Sequence, residues 1–126
     1  MKIGKLVLST LIVFGAMASH ALEIKPYSAT ALAQAQKADK PVALHFHADW
    51  CPTCRAQEKV LQELKSDAGL DMTVLVANYD TEKELKRRFN VRAQSTLVVL
   101  LGEKETYRVV GDTSPGGIRS ALKSAL

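Results

Sequence analysis

The chain has 126 residues, of which 17 are Lys or Arg and 13 are Asp or Glu, so its formal net charge at pH 7 is +4. This length supports one small domain, and the sequence shows no internal repeat, low-complexity segment or long linker. No block of Lys and Arg with interleaved aromatic residues is present, which argues against a nucleic-acid-binding protein.

Residues 1–21 are predicted to be a signal peptide. Lys2 and Lys5 precede an apolar segment at 6–18, and a small-x-small cleavage site (Ser-His-Ala) follows it. An uncleaved membrane anchor is disfavoured, because this apolar segment is shorter than the roughly 20 residues that span a bilayer. No cysteine stands immediately after the cleavage site, so a lipoprotein anchor is not expected. Cleavage removes two lysines and leaves residues 22–126 as one domain with a net charge of about +2, from 15 basic and 13 acidic side chains.

The remaining chain is predicted to alternate strands, seen as short apolar runs, with helices, seen as apolar residues at helical spacing. Strands that alternate with helices imply parallel crossovers, and a closing hairpin adds antiparallel strands. The sequence therefore predicts an α/β fold with a mixed central sheet and helices on both faces. The predicted elements are, in order, a short strand at 22–25, a helix at 27–39, a strand at 41–47, a helix from 52 to a C-cap at Gly69, a strand at 72–77, a helix at 81–89, a strand at 96–101, its hairpin partner at 106–110, and a helix capped by Ser114.

Local patterns support several of these elements. Thr81-Glu82-Lys83-Glu84 has the spacing of a capping box, which predicts the start of the third helix. The continuous apolar run at 72–77 is typical of a strand covered on both faces. The helix that begins at residue 52 has apolar residues at helical spacing, namely Ala56, Val60, Leu61, Leu64 and Ala68.

The two cysteines of the chain, Cys51 and Cys54, lie between the predicted strand at 41–47 and the helix that follows. Pro52 suits the first helical position, where no N–H is needed, and this makes Cys51 the N-cap. Its sulfur then faces the free N–H groups of Thr53 and Cys54, so we expect a stabilised thiolate and a depressed pKa. Cys54, one turn further on, is close enough to form a disulfide with Cys51 and is expected to be less accessible. A purely structural disulfide at this spacing would close only a tiny loop and stabilise the fold little.

The segment Ala48-Asp49-Trp50-Cys51-Pro52-Thr53-Cys54-Arg55 resembles the active-site motif of the thioredoxin superfamily. A Cys-x-x-Cys pair alone also occurs in zinc sites, but the preceding Trp50, the strand-to-helix context and the matching length make the resemblance specific. More narrowly, the segment is similar to that of secreted bacterial members with a Cys-Pro-Thr-Cys centre, which reduce disulfides during cytochrome c maturation. The resemblance covers essentially all of residues 22–126 and implies the thioredoxin fold.

The resemblance also implies a function: an exported, periplasmic thiol–disulfide oxidoreductase that needs no cofactor and acts as a monomer on protein disulfides. Cys51 would attack the substrate disulfide, Cys54 would resolve the mixed disulfide, and Trp50 would shield the pair and pack against docked substrate. Pro52 and Thr53 place no ionisable side chain between the cysteines, and this, with the resemblance, favours a reductase. A reductase in an oxidising compartment would need a membrane-bound electron donor.

Ser95 departs from the family pattern. It stands where thioredoxin-like proteins usually carry a cis-proline that faces the cysteine pair. A cis bond before a non-proline residue costs about 3–4 kcal/mol, so we expect the Gln94–Ser95 bond to be trans. Either substrate docking by main-chain pairing is weakened, or the loop is rebuilt and the redox chemistry persists.

His45 departs as well, since many thioredoxins hold a buried acid at its position, and His47 points to the same face of the strand. Under the active site, His45 would be able to accept a proton from Cys54. Protonated, either histidine would stabilise a thiolate and, with Arg55, favour an oxidant. The alternative is a buried neutral histidine hydrogen-bonded to the backbone.

A competing hypothesis is a non-enzymatic module, either a metal carrier or a thioredoxin-like adaptor. His45, His47, Cys51 and Cys54 are a ligand set that suits Zn²⁺ or copper. Their convergence would need the space that a missing proline at Ser95 leaves. We predict no metal at the site, and the retained Cys-x-x-Cys pair argues against a pure adaptor.

Overall fold

The computed structural model describes residues 12, 13, 15 and 21–126 of the chain. The predicted signal peptide, residues 1–21, therefore lies almost entirely outside the described residues. Among those that are described, no helix has both the length and the apolar character that crossing a membrane requires.

Strands and helices alternate in the predicted order, which confirms the α/β class. The strands β2 and β4 have the predicted bounds, whereas the bounds of the other elements differ by a few residues. The elements are β1 Glu23–Pro26, α1 Ala29–Lys37, β2 Pro41–His47, α2 Pro52–Leu64, β3 Thr73–Asn78, α3 Lys83–Arg88, β4 Thr96–Leu101, β5 Lys104–Val110 and α4 Pro115–Lys123.

The five strands form one mixed sheet in the order β1-β3-β2-β4-β5. β3 pairs in parallel with both β1 and β2, whereas β4 runs antiparallel to β2 and to β5. The predicted mixed sheet is therefore confirmed. Since β2 is the central strand, the chain that leaves its carboxyl end toward Cys51 emerges beside the segment that leads into β4.

Helices cover both faces of this sheet, as predicted. α2 and α4 cover one face and α1 and α3 the other, because successive residues of a strand point to opposite sides. Each face of the sheet carries an apolar cluster, the first under α2 and α4 and the second under α1 and α3. On β3, Val74 belongs to the first cluster and Leu75 to the second, so this strand is buried from both sides, as its apolar run indicates. The first cluster includes Ala43, Val60, Leu61, Leu97, Val99, Ile118 and Leu122, and the second Leu32, Val42, Leu44, Phe46, Leu85, Val98 and Leu100.

The predicted end of α2 at Gly69 is wrong. The helix ends at Leu64, with Lys65 as its C-cap. The Asp67 side chain accepts a hydrogen bond from the Gly69 N–H at 2.9 Å, which bends the chain away from the helix axis. Ala68 is exposed, so it does not continue the apolar face of α2.

The predicted capping box of α3 is also wrong. The helix begins at Lys83, and its N-cap is Glu82, which makes no side-chain capping bond. Ahead of it the backbone forms tight turns, in which the Glu82 N–H donates to Asn78 O at 2.9 Å and the Lys83 N–H donates to Thr81 O at 2.9 Å. In the same segment the Thr81 N–H, which a capping box would bond to the Glu84 side chain, donates to Asn78 O at 3.3 Å.

Candidate active site

Cys51 lies at the N-terminus of α2, between the sheet and the helix. It is the N-cap residue, with extended backbone angles (φ −94°, ψ 112°), and Pro52 is the first helical residue. The Cys51 Sγ accepts a hydrogen bond from the Cys54 N–H at 3.2 Å. The predicted N-cap geometry is confirmed, and both cysteines are free thiols in this structure.

Cys54 lies deeper than Cys51. It is fully buried, whereas 3% of Cys51 is exposed. Ala48 and Tyr79 pack around the pair, and the Cys54 thiol points toward Phe46 O at 3.9 Å. The predicted order of accessibility is confirmed, although Cys51 itself has only a small exposed area.

The Ser95 hydroxyl lies between the two sulfur atoms. Its Oγ is 3.2 Å from Cys51 Sγ and 3.0 Å from Cys54 Sγ. The Gln94–Ser95 bond is trans, as expected, and Ser95 has φ +63°. This left-handed conformation is unusual for a residue with a Cβ, and the surrounding hydrogen bonds hold it in place.

The main chain of Ser95 is bonded within the protein. Its N–H donates to Phe46 O at 3.0 Å, and its carbonyl oxygen accepts from Gly111 N at 3.0 Å and from Gln57 Nε2 at 3.0 Å. With these groups engaged, Ser95 itself has no backbone donor free for a substrate strand. The loop has been rebuilt around a serine rather than left open.

The two thiols differ in acidity. Burial acts to raise the pKa of Cys51, but hydrogen bonds from the Cys54 thiol, the Ser95 hydroxyl and the N–H groups of Cys54 and Thr53 outweigh it, so this pKa lies below its usual value. Burial, with the neighbouring Cys51 sulfur, raises the pKa of Cys54. Of the two thiols, Cys51 is therefore the first to ionise.

Gln57 ties the site to the rest of the fold, and the sequence analysis missed it. This residue of α2 is 1% exposed, and its Nε2 donates to Ser95 O at 3.0 Å and to Asp112 O at 2.9 Å. Its position, one turn after Cys54 and one turn before Val60 and Leu61, places it on the buried face of α2. This helical spacing is the feature of the sequence from which the burial of Gln57 could have been predicted. Ala56, which was predicted on the buried face, is exposed.

His45 is buried on β2 and bonded to Gln57 rather than to a sulfur or the backbone. Both hydrogens of the Gln57 amide go to carbonyl oxygens, so its Oε1 is the acceptor and the His45 Nε2, 3.0 Å away, must carry the proton. The ring Nδ1 is buried without a hydrogen-bond partner. Burial lowers the pKa of His45 to about 4, although the hydrogen bond to Gln57 acts in the opposite direction and raises this pKa. His45 is therefore neutral near pH 7, and its bonded nitrogen is not available to Cys54.

His47 lies on the same face of β2 as His45, as predicted, with 5.5 Å between the ring centroids. Its Nε2 is 3.0 Å from Asp49 Oδ1 and 3.9 Å from Glu58 Oε2, so this ring nitrogen contacts carboxylates. Across residues 21–126 and the few described before them, no three His, Cys, Asp or Glu side chains are grouped to hold a metal ion. The geometry thus offers no support for the metal-carrier hypothesis.

The other predicted residues flank the cysteines in the chain. Trp50 is 59% exposed, and its Nε1 donates to Asp80 Oδ2 at 2.8 Å, which holds the ring at the surface next to Cys51 in the chain. Pro52 is exposed and Thr53 is half-buried at the start of α2. An exposed aromatic ring beside a nearly covered nucleophile suits contact with a protein substrate.

The neutral, buried state of His45 predicts an acid-sensitive fold. In the unfolded chain a histidine titrates near pH 6.5, whereas the folded-state pKa is about 4, so protons bind the unfolded chain more strongly between these values. We expect full stability above pH 6.5 and a loss of up to about 3 kcal/mol as the pH falls to 4. Urea unfolding at pH 7 and pH 4.5 measures this difference.

Two variants isolate the contribution of His45. His45→Gln, which does not titrate, should lose most of the pH dependence, whereas His47→Asn should retain it. Asp67 and Asp112 also have depressed pKa values, but they are present in all three proteins and cancel in the comparison. An unchanged pH dependence in His45→Gln would place the acid sensitivity elsewhere.

Several known proteins are similar to this chain in sequence. The thioredoxin family model matches residues 25–124. Thioredoxin from Mycobacterium tuberculosis is 32% identical over 88 residues, which are 70% of this chain and 76% of that protein. The same identity holds for the bifunctional thioredoxin reductase/thioredoxin of Mycobacterium leprae, of which the chain spans only 19%.

Solved structures of similar proteins have the same fold as this chain. The crystal structure of Trxlp from Edwardsiella tarda is 39% identical, with a TM-score of 0.74 over 79% of this chain and 98% of that one. Thioredoxin O2 from Arabidopsis thaliana, in its oxidized state, is 25% identical with a TM-score of 0.67, over 82% and 93% of the two chains. With its Cys51–Cys54 pair at the N-terminus of α2, the chain belongs to the thioredoxin family of thiol–disulfide oxidoreductases.

Proposed function

We propose that this chain is an exported oxidoreductase that reduces protein disulfides through the Cys51–Cys54 couple. The observation that carries the proposal is the division of roles in the pair: a slightly exposed Cys51 with a lowered pKa lies beside a fully buried Cys54 with a raised pKa. The Cys51 thiolate attacks a substrate disulfide and releases one substrate sulfur. Cys54 then attacks Cys51 Sγ, which releases the second sulfur and leaves a Cys51–Cys54 disulfide.

The surroundings of the thiolate support the reducing direction. An oxidant needs a strongly stabilised thiolate, and positive charge near the sulfur is one way to provide it. Here His45 is neutral and hydrogen-bonded to Gln57, and His47 faces the carboxylates of Asp49 and Glu58. The Cys51 sulfur is therefore stabilised by neutral donors, a milder influence than the charge considered in the sequence analysis.

The reduction potential tests this direction. We would equilibrate residues 22–126 with glutathione and dithiothreitol redox buffers that contain a chelator, and follow the fluorescence of Trp50. A potential near that of thioredoxin, about −270 mV, is expected for a reductase. A value near about −120 mV would identify an oxidant that donates its disulfide, and it would overturn the reductase proposal.

Export to the periplasm is part of the same proposal and is supported by the charge and apolar pattern of residues 1–21. In that oxidising compartment the reductase would act as a monomer and would depend on a membrane-bound electron donor, as in the cytochrome c maturation proteins that the motif resembles. Cell fractionation followed by mass spectrometry tests export. A periplasmic product that begins at Leu22 is expected, and a full-length product in the cytoplasm would contradict it.

A further inference from the structure

The Ser95 hydroxyl contacts both reacting sulfur atoms at hydrogen-bond distance, 3.2 Å from Cys51 Sγ and 3.0 Å from Cys54 Sγ. A hydroxyl carries one proton and can also accept, so it donates to one sulfur while it accepts from the other. Either atom can be the donor in each contact. Because the pKa of Cys51 is lowered and that of Cys54 raised, one order has the Cys54 S–H donating to Ser95 Oγ and the Ser95 O–H donating to Cys51 Sγ, in place of a direct bond from the Cys54 thiol to Cys51.

We propose that Ser95 is a catalytic residue, whose hydroxyl carries the proton of Cys54 out of the pair when Cys54 resolves the mixed disulfide. This rests on the proposed function, since it assigns a role within the same reaction. Cys54 must lose its proton to become a nucleophile, yet it is fully buried. Among the hydrogen-bond partners of its thiol, Phe46 O at 3.9 Å is a distant carbonyl, whereas Ser95 Oγ is close and can both accept and release a proton.

The proton and electron balance of this step closes without another reactant. In the mixed disulfide, Cys51 Sγ is bonded to the substrate sulfur and Cys54 is a thiol. The Cys54 S–H bond breaks and its proton passes to Ser95 Oγ, while the proton of Ser95 passes to the departing substrate sulfur. The Cys51–substrate bond breaks, with its electron pair going to that sulfur, and the Cys51–Cys54 bond forms. The substrate leaves as a neutral thiol, and Ser95 is a hydroxyl before and after.

The loop around Ser95 holds the hydroxyl in this position. Its N–H is bonded to Phe46 O on β2, and its carbonyl oxygen is bonded to Gln57 on α2 and to Gly111 after β5. The left-handed backbone conformation, φ +63°, is thus fixed from three elements. Ser95 is only 3% exposed, so bulk water has little access to replace its hydroxyl. Gln57 acts here as a positioning residue.

The test separates the resolving step from the first attack. The full reduced chain is mixed with glutathione disulfide, quenched with acid at intervals, and analysed by mass spectrometry for the glutathione adduct on Cys51. In the wild type the adduct should decay quickly. In Ser95→Ala it should accumulate, because resolution slows by roughly a hundredfold, the lower end of what a positioned proton transfer contributes. Ser95→Thr keeps the hydroxyl but is β-branched at φ +63°, so it should be less stable, and its folded fraction should resolve the adduct faster than Ser95→Ala.

Ser124→Ala is the matched control, because it removes a hydroxyl at the far end of α4 and should leave both steps unchanged. Equal slowing of attack and resolution in Ser95→Ala, or resolution at the wild-type rate, would overturn the proposal. If that variant does not fold, the wild type decides alone: resolution should be slower in deuterium oxide, and the absence of any isotope effect would overturn the relay.

These rates do not depend on export, on the physiological substrate or on the direction of the reaction. A potential near that of an oxidant would therefore contradict the proposed function and leave the Ser95 result standing. A failed relay would likewise leave the potential unchanged.

Discussion

Replacing Cys51 with serine is expected to abolish disulfide reduction, with a loss of roughly 10⁴-fold or more, as for other removed nucleophiles. Cys51 is the sulfur with both an exposed area and a depressed pKa. Cys54 cannot take its place, because it is fully buried and burial raises its pKa. The dithiothreitol-driven reduction of insulin, followed by turbidity, measures the loss.

The Cys54→Ser variant complements Cys51→Ser, because it tests the resolving step separately from the first attack. It retains the nucleophile, so attack should proceed, but the mixed disulfide should persist because no thiol remains to resolve it. Mass spectrometry after mixing with glutathione disulfide should show one stable adduct on Cys51. Stable adducts on Cys51→Ser, with none on Cys54→Ser, would reverse the assigned roles.

Replacing Gln57 with leucine is expected to lower the free energy of unfolding by about 3–5 kcal/mol. The change removes bonds to Ser95 O, Asp112 O and the His45 Nε2, which join α2 to two loops and to β2. It also leaves the buried His45 N–H without a partner, and each such unsatisfied group costs about 1–3 kcal/mol. Urea unfolding at pH 7, followed by Trp50 fluorescence, measures the difference.

Gln62→Leu is the control, because Gln62 lies on the same helix and is exposed. Its effect on stability should stay within about 0.5 kcal/mol. Since Gln57 also positions Ser95, Gln57→Leu should slow the resolution of the glutathione adduct in the fraction that remains folded. A loss of stability no larger than that of Gln62→Leu would show that the network contributes little.

Sequence alone determined those features that depend on neighbours in the chain. Cys51 caps α2 because Pro52 follows it and the free N–H groups lie within three residues. β2 and β4 have the predicted bounds because each is a short apolar run limited by turn-forming residues. The position of Ser95 opposite the cysteines followed from the family resemblance rather than from any local pattern.

Local patterns failed where several local solutions compete. The capping-box spacing at residues 81–84 was present, but the Thr81 N–H bonds Asn78 O in a backbone turn and the helix begins at Lys83. Similarly, α2 ends at Leu64 and the chain continues in short turns, where the Asp67 side chain bonds the Gly69 N–H, although glycine at that position suggested a later end. The competing local structures differ by small free energies, and a sequence pattern does not rank them.

Only the tertiary structure decided the chemistry around the sulfurs. The bonds of Gln57 to Ser95 and Asp112 join residues 38 and 55 positions apart. They fix the proton on His45 Nε2. Burial makes that ring neutral, because it outweighs the opposing effect of the Gln57 bond on the pKa, where the sequence allowed a charged ring. The placement of the Ser95 hydroxyl between the two sulfurs likewise depends on β2, α2 and the segment after β5 meeting at one point. Side-chain hydrogen bonds across such distances arise only when the sheet and helices have packed, so no pattern of neighbouring residues records them.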